Sequence, residues 1–187
     1  MNITMPFDAT DLARLSGHMP GLIGDIRSDH AGETGAVMIY RGILAGSRDP
    51  AVRRFAGAHM ATEQRHLELL DRMLLPGQRS LLLSVWRVAG WLTGFLPTLG
   101  GSDAVYATID AVETFVDIHY EEQIRKLPPD GPGGALRAAL RVCQEDEVHH
   151  RDEARALHQS AHGGLLRLWV RAVGAGSKAA VAAARRV

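Results

Sequence analysis

Two copies of one spacing of glutamate and histidine constrain this chain more than any other feature. Each copy is a glutamate followed, about 30 residues later, by Glu-x-x-His. The members are Glu33, Glu63 and His66 in the first copy and Glu113, Glu147 and His150 in the second. Positions three apart on a helix share one face, so each Glu-x-x-His pair presents a carboxylate and an imidazole together. The interval before each pair suits a helix, a short turn and a return to the same depth in the next helix.

Two such helical hairpins match the ligand pattern of ferritin-like bundles that hold two metal ions. Four carboxylates would balance the charge of two divalent ions, whereas the same buried cluster without metal would be very unfavourable. Carboxylate and imidazole ligands suit iron and oxygen chemistry better than structural zinc, which prefers closed, sulfur-rich sites. We therefore predict an all-α protein, a ferritin-like four-helix bundle that binds two iron ions at these six residues.

The second histidine of the pattern has a rival. Glu145 and His149 form a pair four residues apart, and His150 is preferred because, with Glu147, it repeats the first spacing. Histidines that bind metal usually donate their other N–H to an acceptor. Three acidic side chains are candidate acceptors that the sequence does not rank: Asp110, Asp117 and Asp146.

Two tyrosines occupy equivalent positions beside the pattern. Tyr40 follows Glu33, and Tyr120 follows Glu113, by two helical turns in each case. Each tyrosine either flanks the metal ions or is a core residue with its hydroxyl hydrogen-bonded. His119, next to Tyr120, is either a neighbour of the site or simply a polar residue.

Helix-starting and helix-breaking residues divide the chain. Asp49-Pro50 is typical of a helix start, since aspartate caps and proline fits the first turn. We predict main helices over 22–45, 49–74, 102–126 and 135–161 and a last amphipathic helix over 165–186. One domain covers 1–187, with a leading segment 1–19, a bundle 20–162 and a C-terminal helix 163–187.

The crossover between the two hairpins, 79–101, contains a strongly apolar stretch at 81–99. Its length is close to that of a membrane-spanning helix, but Arg87 interrupts it. Trp86 and Trp91 suit the depth of a membrane interface. We expect a helix that packs on the bundle and dips into one leaflet; a buried crossover helix and a true span are the alternatives.

Composition excludes some classes of protein. Lys plus Arg and Asp plus Glu number 21 each, so the basic surplus of a general nucleic-acid binder is absent. The single cysteine, Cys143, fits a reducing compartment and is expected to be a small core residue. The first residues resemble neither a signal peptide nor a transit peptide. We expect a protein on the cytoplasmic face of a bacterial cell membrane, with the matrix face of the mitochondrial inner membrane as the alternative.

Short motifs surround the patterned residues. They are DHAGE at 29–33 with Gly35 and Ile-Tyr at 39–40, EQRHL at 63–67, Val-Glu at 112–113 with His-Tyr at 119–120 and QIR at 123–125, and EDEVHHRD at 145–152. Together they resemble the demethoxyubiquinone hydroxylases of ubiquinone biosynthesis over roughly residues 20–187. Thr114 stands where many members have a second glutamate, and Ile118 where some have another histidine.

The resemblance implies a peripheral membrane enzyme that uses two irons and dioxygen to hydroxylate the ring of a polyprenyl methoxy-methyl-benzoquinol. It gives the six patterned residues the ligand positions, and it places Tyr120 and His119 near the substrate and the electron path as catalytic candidates. It also implies an accessory lipid-binding partner. We expect 81–99 and the last helix to supply an apolar groove for the polyprenyl tail.

Several points stay open at this level. The electrons come from the quinol itself or from NADH, although no glycine-rich dinucleotide fingerprint is visible. A homo-oligomer is open as well. The alternative functions are a ferroxidase or peroxidase of the ferritin or rubrerythrin type, which shares the ligands without needing the apolar crossover, and a non-catalytic lipid-binding protein with a vestigial metal site.

Overall fold

The computed structural model describes residues 7–158 and 163–187, and in these ranges the regular structure is entirely helical. The helices are α1 (Ala9–Ser16), α2 (Leu22–Gly46), α3 (Pro50–Met73), α4 (Leu83–Thr98), α5 (Ser102–Ile124), α6 (Gly131–Leu157) and α7 (Gly164–Ala184), with a 3-10 turn at Pro76–Gln78. α2 pairs with α3 and α5 with α6, which makes two hairpins of a four-helix bundle. The predicted all-α, ferritin-like architecture is confirmed.

Two apolar clusters fill the bundle on either side of its middle. One contains Ile26 of α2, Leu70 of α3 and Leu140 of α6. The other contains Ile43 of α2 and Ile109 of α5. The early part of α2 thus meets the late part of α3, as in an antiparallel hairpin, and the predicted ligand residues lie between the two clusters.

The start of α3 forms as the sequence predicts. The Asp49 carboxylate accepts a hydrogen bond from the Ala51 N–H at 2.8 Å, and Pro50 occupies the first turn. Asp49 also accepts a hydrogen bond from the Ser102 hydroxyl at 2.7 Å. This residue therefore caps one helix and ties it to the start of α5.

Other helix ends differ from the prediction. α6 begins at Gly131 rather than 135, because Pro132 is tolerated in a first turn and Gly133 and Gly134 allow close contact with Pro128 and Pro129. α5 ends at Ile124, before the predicted end at 126, and α7 covers Gly164–Ala184 instead of 165–186. α6 ends at Leu157, and residues 159–161 of the predicted helix lie outside the described residues.

Helix α1 was not predicted. The Asp8 side chain caps it by accepting hydrogen bonds from the Thr10 and Asp11 N–H groups. Phe7 and Leu12 are buried and join the cluster that contains Ile26. The leading segment therefore contributes to the core, which its short amphipathic pattern did not reveal.

Helix α4 lies in very close contact with α2, because glycines meet where the two helices cross. A Cβ at Gly90 would collide with the carbonyl oxygen of Gly35, and a Cβ at Gly94 with that of Ile39. The outer face of this segment exposes a row of apolar side chains: Leu81, Val85, Val88, Leu92, Leu96 and Leu99. No helix in the described parts of the chain is both long and apolar enough to cross a membrane.

Candidate metal centre

The six patterned side chains meet in the middle of the bundle. Glu33 comes from α2, Glu63 and His66 from α3, Glu113 from α5, and Glu147 and His150 from α6, and all six are buried. Each pair lies one turn apart on its helix and points inward, as the spacing predicts. His150 is buried, whereas the rival His149 is 73% exposed. The structure thus brings the six together, while metal binding by them stays a prediction.

The ligand atoms fall into two overlapping groups whose atoms lie within 4.8 Å of one another. Site 1 consists of Glu33, Glu63, His66 and Glu147, and site 2 of Glu63, Glu113, Glu147 and His150. The two central carboxylates, Glu63 and Glu147, belong to both sites. One further glutamate and one histidine complete each group, which is the ligand set that two metal ions sharing the central carboxylates would use.

Distances within the cluster are those of groups that converge on a common point. His66 Nδ1 lies 3.1 Å from Glu147 Oε1 and 3.8 Å from Glu33 Oε2. His150 Nδ1 lies 3.0 Å from Glu63 Oε1 and 3.4 Å from Glu147 Oε2. The same ring nitrogen, Nδ1, faces the carboxylates in both histidines.

Most of these atoms lack hydrogen bonds. Both oxygens of Glu63 and of Glu147, and Nδ1 of His66 and of His150, are buried and make no hydrogen bond within the described residues. Unpaired buried polar atoms are costly and rare in proteins. Four carboxylates and two imidazoles with free lone pairs aimed inward therefore fit two divalent metal ions.

The pKa shifts agree with a cluster that needs positive charge. Burial, with the charge of Glu63 beside it, raises the pKa of Glu33 to about 7. Burial and the nearby Glu147 and Glu63 charges raise the pKa of Glu113 well above its usual value. For His150, burial acts to lower the pKa, but Glu147 and Glu63 beside it raise it to about 9. Metal ions would replace the protons that the cluster otherwise retains.

The two tyrosines contact ligands of the opposite hairpin. Tyr40 of α2 donates a hydrogen bond to Glu113 Oε1 at 3.1 Å. Tyr120 of α5 donates one to Glu33 Oε1 at 2.5 Å. Burial, together with the charge of the bonded glutamate, raises the pKa of both hydroxyls well above the usual value. Both tyrosines remain protonated donors, so each orients one terminal carboxylate.

Among the candidate acceptors for histidine N–H groups, Asp146 contacts a ligand. Its Oδ2 lies 3.0 Å from His66 Nε2, so the outward nitrogen of that ring donates to a carboxylate while Nδ1 faces the cluster. Asp117 instead accepts a hydrogen bond from Arg151, and Asp110 accepts from Arg155. These two aspartates tie α5 to α6 rather than orient ligands.

His59, which the sequence did not single out, lies beside the second histidine. Its ring centre is 4.1 Å from that of His150, and its Nε2 is 2.9 Å from Glu153 Oε2. Burial and the positive charge of His150 lower the pKa of His59 to about 4. His59 lies one turn before Glu63, so helical spacing alone would have placed it next to the cluster. Cys143 is buried in the core, as predicted, and is in neither site.

A second buried polar group lies between α2 and α5, and spacing did not predict it. His119 Nε2 lies 2.9 Å from Asp29 Oδ1, and the Gln123 amide also donates to that oxygen. The Ser28 hydroxyl lies 3.3 Å from His119 Nε2. His119 therefore belongs to a fixed network, which the sequence left as one of two possibilities.

A cavity of about 510 Å³ leads to the cluster. Its walls come from α2, α4, α5 and α7 and are largely apolar, with residues such as Trp86, Val116 and Val173. Its lining includes the carboxylates of both sites, together with Asp29, His119 and Tyr120, but neither histidine of the sites. An elongated apolar molecule in this cavity would approach the metal sites from their carboxylate side.

Similarity to known proteins agrees with this arrangement. The chain matches the family described as ubiquinone biosynthesis protein COQ7 over residues 22–184. A 3-demethoxyubiquinol 3-hydroxylase of Rhodospirillum rubrum is 36% identical over 132 residues, which cover 68% of this chain and 60% of that protein. An NADPH-dependent 3-demethoxyubiquinone 3-hydroxylase of Dictyostelium discoideum is 33% identical over 131 residues, covering 67% and 59%.

A more extensive match is to the mitochondrial NADPH-dependent 3-demethoxyubiquinone 3-hydroxylase of Caenorhabditis elegans. It is 30% identical over 169 residues and covers 87% of this chain and 88% of that protein. By contrast, the chain spans about three fifths of the length of the other two relatives. Because the family model matches residues 22–184, which are most of the chain, the chain belongs to the COQ7 family of ubiquinone biosynthesis proteins.

Proposed function

We propose that this protein is a di-iron monooxygenase that hydroxylates the ring of a polyprenyl methoxy-methyl-benzoquinol in ubiquinone biosynthesis. The observation that carries the proposal is the apolar cavity that ends on the buried carboxylates of both metal sites. A ferroxidase would need the cluster but no channel for a large apolar molecule. The names of the relatives, which are hydroxylases of demethoxyubiquinone or demethoxyubiquinol, support the same reaction.

In this proposal Glu33 and His66 would hold one iron ion and Glu113 and His150 the other, with Glu63 and Glu147 within reach of both. Bound iron would supply redox chemistry and open coordination positions for dioxygen. The protein holds the ligands rigidly: tyrosine hydroxyls fix the terminal glutamates, and Asp146 fixes the ring of His66.

The cavity holds the substrate. Apolar walls exclude water and bind the polyprenyl tail, while the ring is directed towards the carboxylates. Tyr120 and His119 line the cavity together with the carboxylates, and in this proposal they contact the ring. For Tyr120, the raised pKa keeps the hydroxyl proton in place, so this residue acts as a hydrogen-bond donor.

The exposed apolar row on α4 is proposed to lie against a membrane surface. Leu81 is 86% and Val88 is 62% exposed. The exposed Arg87 on this segment and Arg167 and Arg171 on α7 would meet lipid phosphates. Trp86 and Trp91, which the sequence suggested as interfacial anchors, are half-buried; Trp86 donates its N–H to Ser80 and lines the cavity.

Liposome co-sedimentation tests the membrane surface. Val88→Glu should weaken binding to vesicles that contain anionic lipid, because a charge then faces the acyl region. Ala61→Glu adds the same charge at an exposed position on α3 and should leave binding unchanged. Equal binding of all three proteins would contradict membrane contact by α4.

The electrons are proposed to come from a reduced nicotinamide cofactor, as in the relatives named as NADPH-dependent. NADH, NADPH and the quinol itself are compared directly by supplying each as the sole reductant. The proposal also includes an accessory lipid-binding partner and self-association of the chain. Size-exclusion chromatography with and without lipid extract measures the self-association.

The reaction is tested with iron-loaded protein, a short-chain demethoxyquinol and isotopically labelled dioxygen. The hydroxylated product should carry one labelled oxygen, and Glu147→Gln should yield none. In cells that lack the protein, quinone mass spectrometry should show the demethoxy precursor accumulating. Rapid iron(II) oxidation without any labelled quinol product would instead indicate a ferroxidase.

A further inference from the structure

Two histidines and one glutamate meet between site 2 and the protein surface. His59 of α3 and Glu153 of α6 lie against each other, with His59 Nε2 2.9 Å from Glu153 Oε2. His149, one turn before Glu153 on α6, has its Nε2 3.9 Å from the same oxygen. Side chains of the types that bind divalent metal ions thus converge from two helices on one carboxylate oxygen.

These side chains extend the pattern of the predicted ligands by one residue on each helix. His59 lies four residues before Glu63, and Glu153 lies three residues after His150, so both continue the helix faces that carry the cluster. The ring centres of His59 and His150 are 4.1 Å apart. His149 is 73% exposed, so the group leads from buried site 2 to the solvent.

The buried member of this group lacks a hydrogen bond at the nitrogen that faces the glutamate. His59 is 4% exposed, and its Nε2 makes no hydrogen bond within the described residues. The distance to Glu153 is short, but the angle does not suit a hydrogen bond. His150 Nδ1 and Glu63 Oε1 in site 2 show the same close contact without a hydrogen bond, at 3.0 Å. Both pairs have the arrangement of two ligand atoms that share one ion.

The distance and the charge also suit a cation. Nitrogen and oxygen ligands lie about 2.0–2.2 Å from a zinc ion, so two of them on one ion are roughly 3 Å apart. No arginine or lysine pairs with Glu153 in the parts of the chain that the structure describes. The ring centres of His59 and His149 are 6.1 Å apart, and the exposed His149 ring can turn towards the shared oxygen.

Two imidazoles and one carboxylate with open positions are the ligand set of mononuclear iron(II) and zinc(II) sites. We propose that His59, His149 and Glu153 form a third site for a divalent cation of this class, between site 2 and the solvent. None of the three lines the cavity, so the site is separate from the one proposed for the substrate and does not depend on that reaction. With a single carboxylate, it binds more weakly than sites 1 and 2 and fills after them.

Counting metal ions at equilibrium tests the third site. The full chain is loaded with two equivalents of iron(II) under nitrogen and dialysed against rising concentrations of zinc(II), and iron and zinc are counted together. The sum is unaffected by exchange of zinc for iron in sites 1 and 2. The unaltered protein should reach about three metal ions per chain, one more than the cluster accounts for.

Two variants remove ligands of the third site without changing the cluster. Glu153→Gln and His149→Ala should each weaken binding of the third ion by at least about tenfold and leave the other two in place. His59 is left unaltered because it contacts His150. The matched control is Glu122→Gln, which removes an exposed carboxylate on α5 and should keep three ions. Melting curves verify that each variant is folded.

A further variant distinguishes the proposed site from a simple surface pair. Glu145 is exposed and lies one turn before His149 on α6, so these two residues alone could hold a cation. Glu145→Gln should keep the third ion, and its loss there would overturn the role of Glu153. A total of two ions in the unaltered protein, or an unchanged affinity for the third ion in folded Glu153→Gln or His149→Ala, would also overturn the inference. Loss in these two variants, with three ions kept in Glu122→Gln and Glu145→Gln, supports it.

Discussion

The two hairpins of the bundle provide the same ligands in different surroundings. The α2–α3 hairpin contributes Glu33, Glu63 and His66, and the α5–α6 hairpin contributes Glu113, Glu147 and His150 at equivalent positions. Each hairpin also contributes one tyrosine that donates to the terminal glutamate of the other. Around this shared set, most neighbouring residues differ, although Ala31 and Thr34 match Ala111 and Thr114.

The two hairpins differ in how they border the cavity and α4. On α2, Asp29 lines the cavity, and Gly35 lies against Gly90 of α4. The equivalent positions on α5 carry Ile109, a core residue, and Phe115, which also lines the cavity. The predicted ligands are thus equivalent in the two hairpins, whereas the residues beside them are not.

The largest expected effect comes from the shared carboxylates. Glu63→Gln and Glu147→Gln should each lower iron content from about two per chain to well below one and abolish turnover, because each belongs to both sites. Glu33→Gln and Glu113→Gln should each remove about one iron, since each belongs to one site. Metal analysis measures the iron content of each variant, and an activity assay measures its turnover. Equal metal loss in all four variants would contradict the bridging arrangement.

The tyrosines give the next largest effect, and they differ in their position relative to the cavity. Tyr120 lines the cavity and Tyr40 does not. Tyr120→Phe should therefore lower turnover by about one hundredfold, whereas Tyr40→Phe should lower it by less than about tenfold. Both variants lose one buried hydrogen bond, so both should lose about 1 kcal/mol of unfolding free energy. Equal turnover in the two variants would mean that lining the cavity gives Tyr120 no role beyond that of Tyr40.

Helical geometry explains how much the sequence alone could predict. The fixed rise and periodicity of an α-helix place residues three apart on one face. The spacing therefore predicted that the six residues lie in one cluster, as they do. Helix-capping preferences located the start of α3 at Asp49-Pro50, and the apolar stretch identified the crossover helix. Helix starts failed where local chemistry was ambiguous, as at Gly131–Gly134, where proline and glycine indicate a loop as readily as a first turn.

Contacts between distant segments were beyond this reasoning. Asp29 and His119 are 90 positions apart and meet only in the folded bundle, where α2 and α5 come together. Asp146 could be proposed but not ranked above Asp110 and Asp117, since ranking needs the direction of each side chain. Gly90 and Gly94, four apart and opposite Gly35, were a signal for close helix packing that could have been used.

The two histidines of the candidate sites differ in the residue that lies at the equivalent position beside them. Asp146 accepts from His66, whereas Thr62, the residue at the equivalent position before Glu63, makes no such contact to His150 in the described residues. Asp146→Asn should therefore weaken metal affinity by about 10–100-fold at site 1 only. Stepwise titration with cobalt(II), followed by its absorption bands, distinguishes the two sites. An equal change at both sites would contradict this assignment.

The smallest effect concerns the close packing of α4 on α2, which depends on glycines. Gly94→Ala places a Cβ against the Ile39 carbonyl oxygen, so the helices must move apart, at a cost of about 1–3 kcal/mol of unfolding free energy. Gly57→Ala is the control: a Cβ there meets nothing within 4 Å, and alanine favours the helix by roughly 0.5–1 kcal/mol. Because α4 forms a cavity wall, Gly94→Ala should also weaken quinol binding while iron content stays unchanged. A Gly94→Ala protein as stable as the control would mean that the contact between α2 and α4 is looser than the glycines imply, and the cavity would then lack its fixed wall.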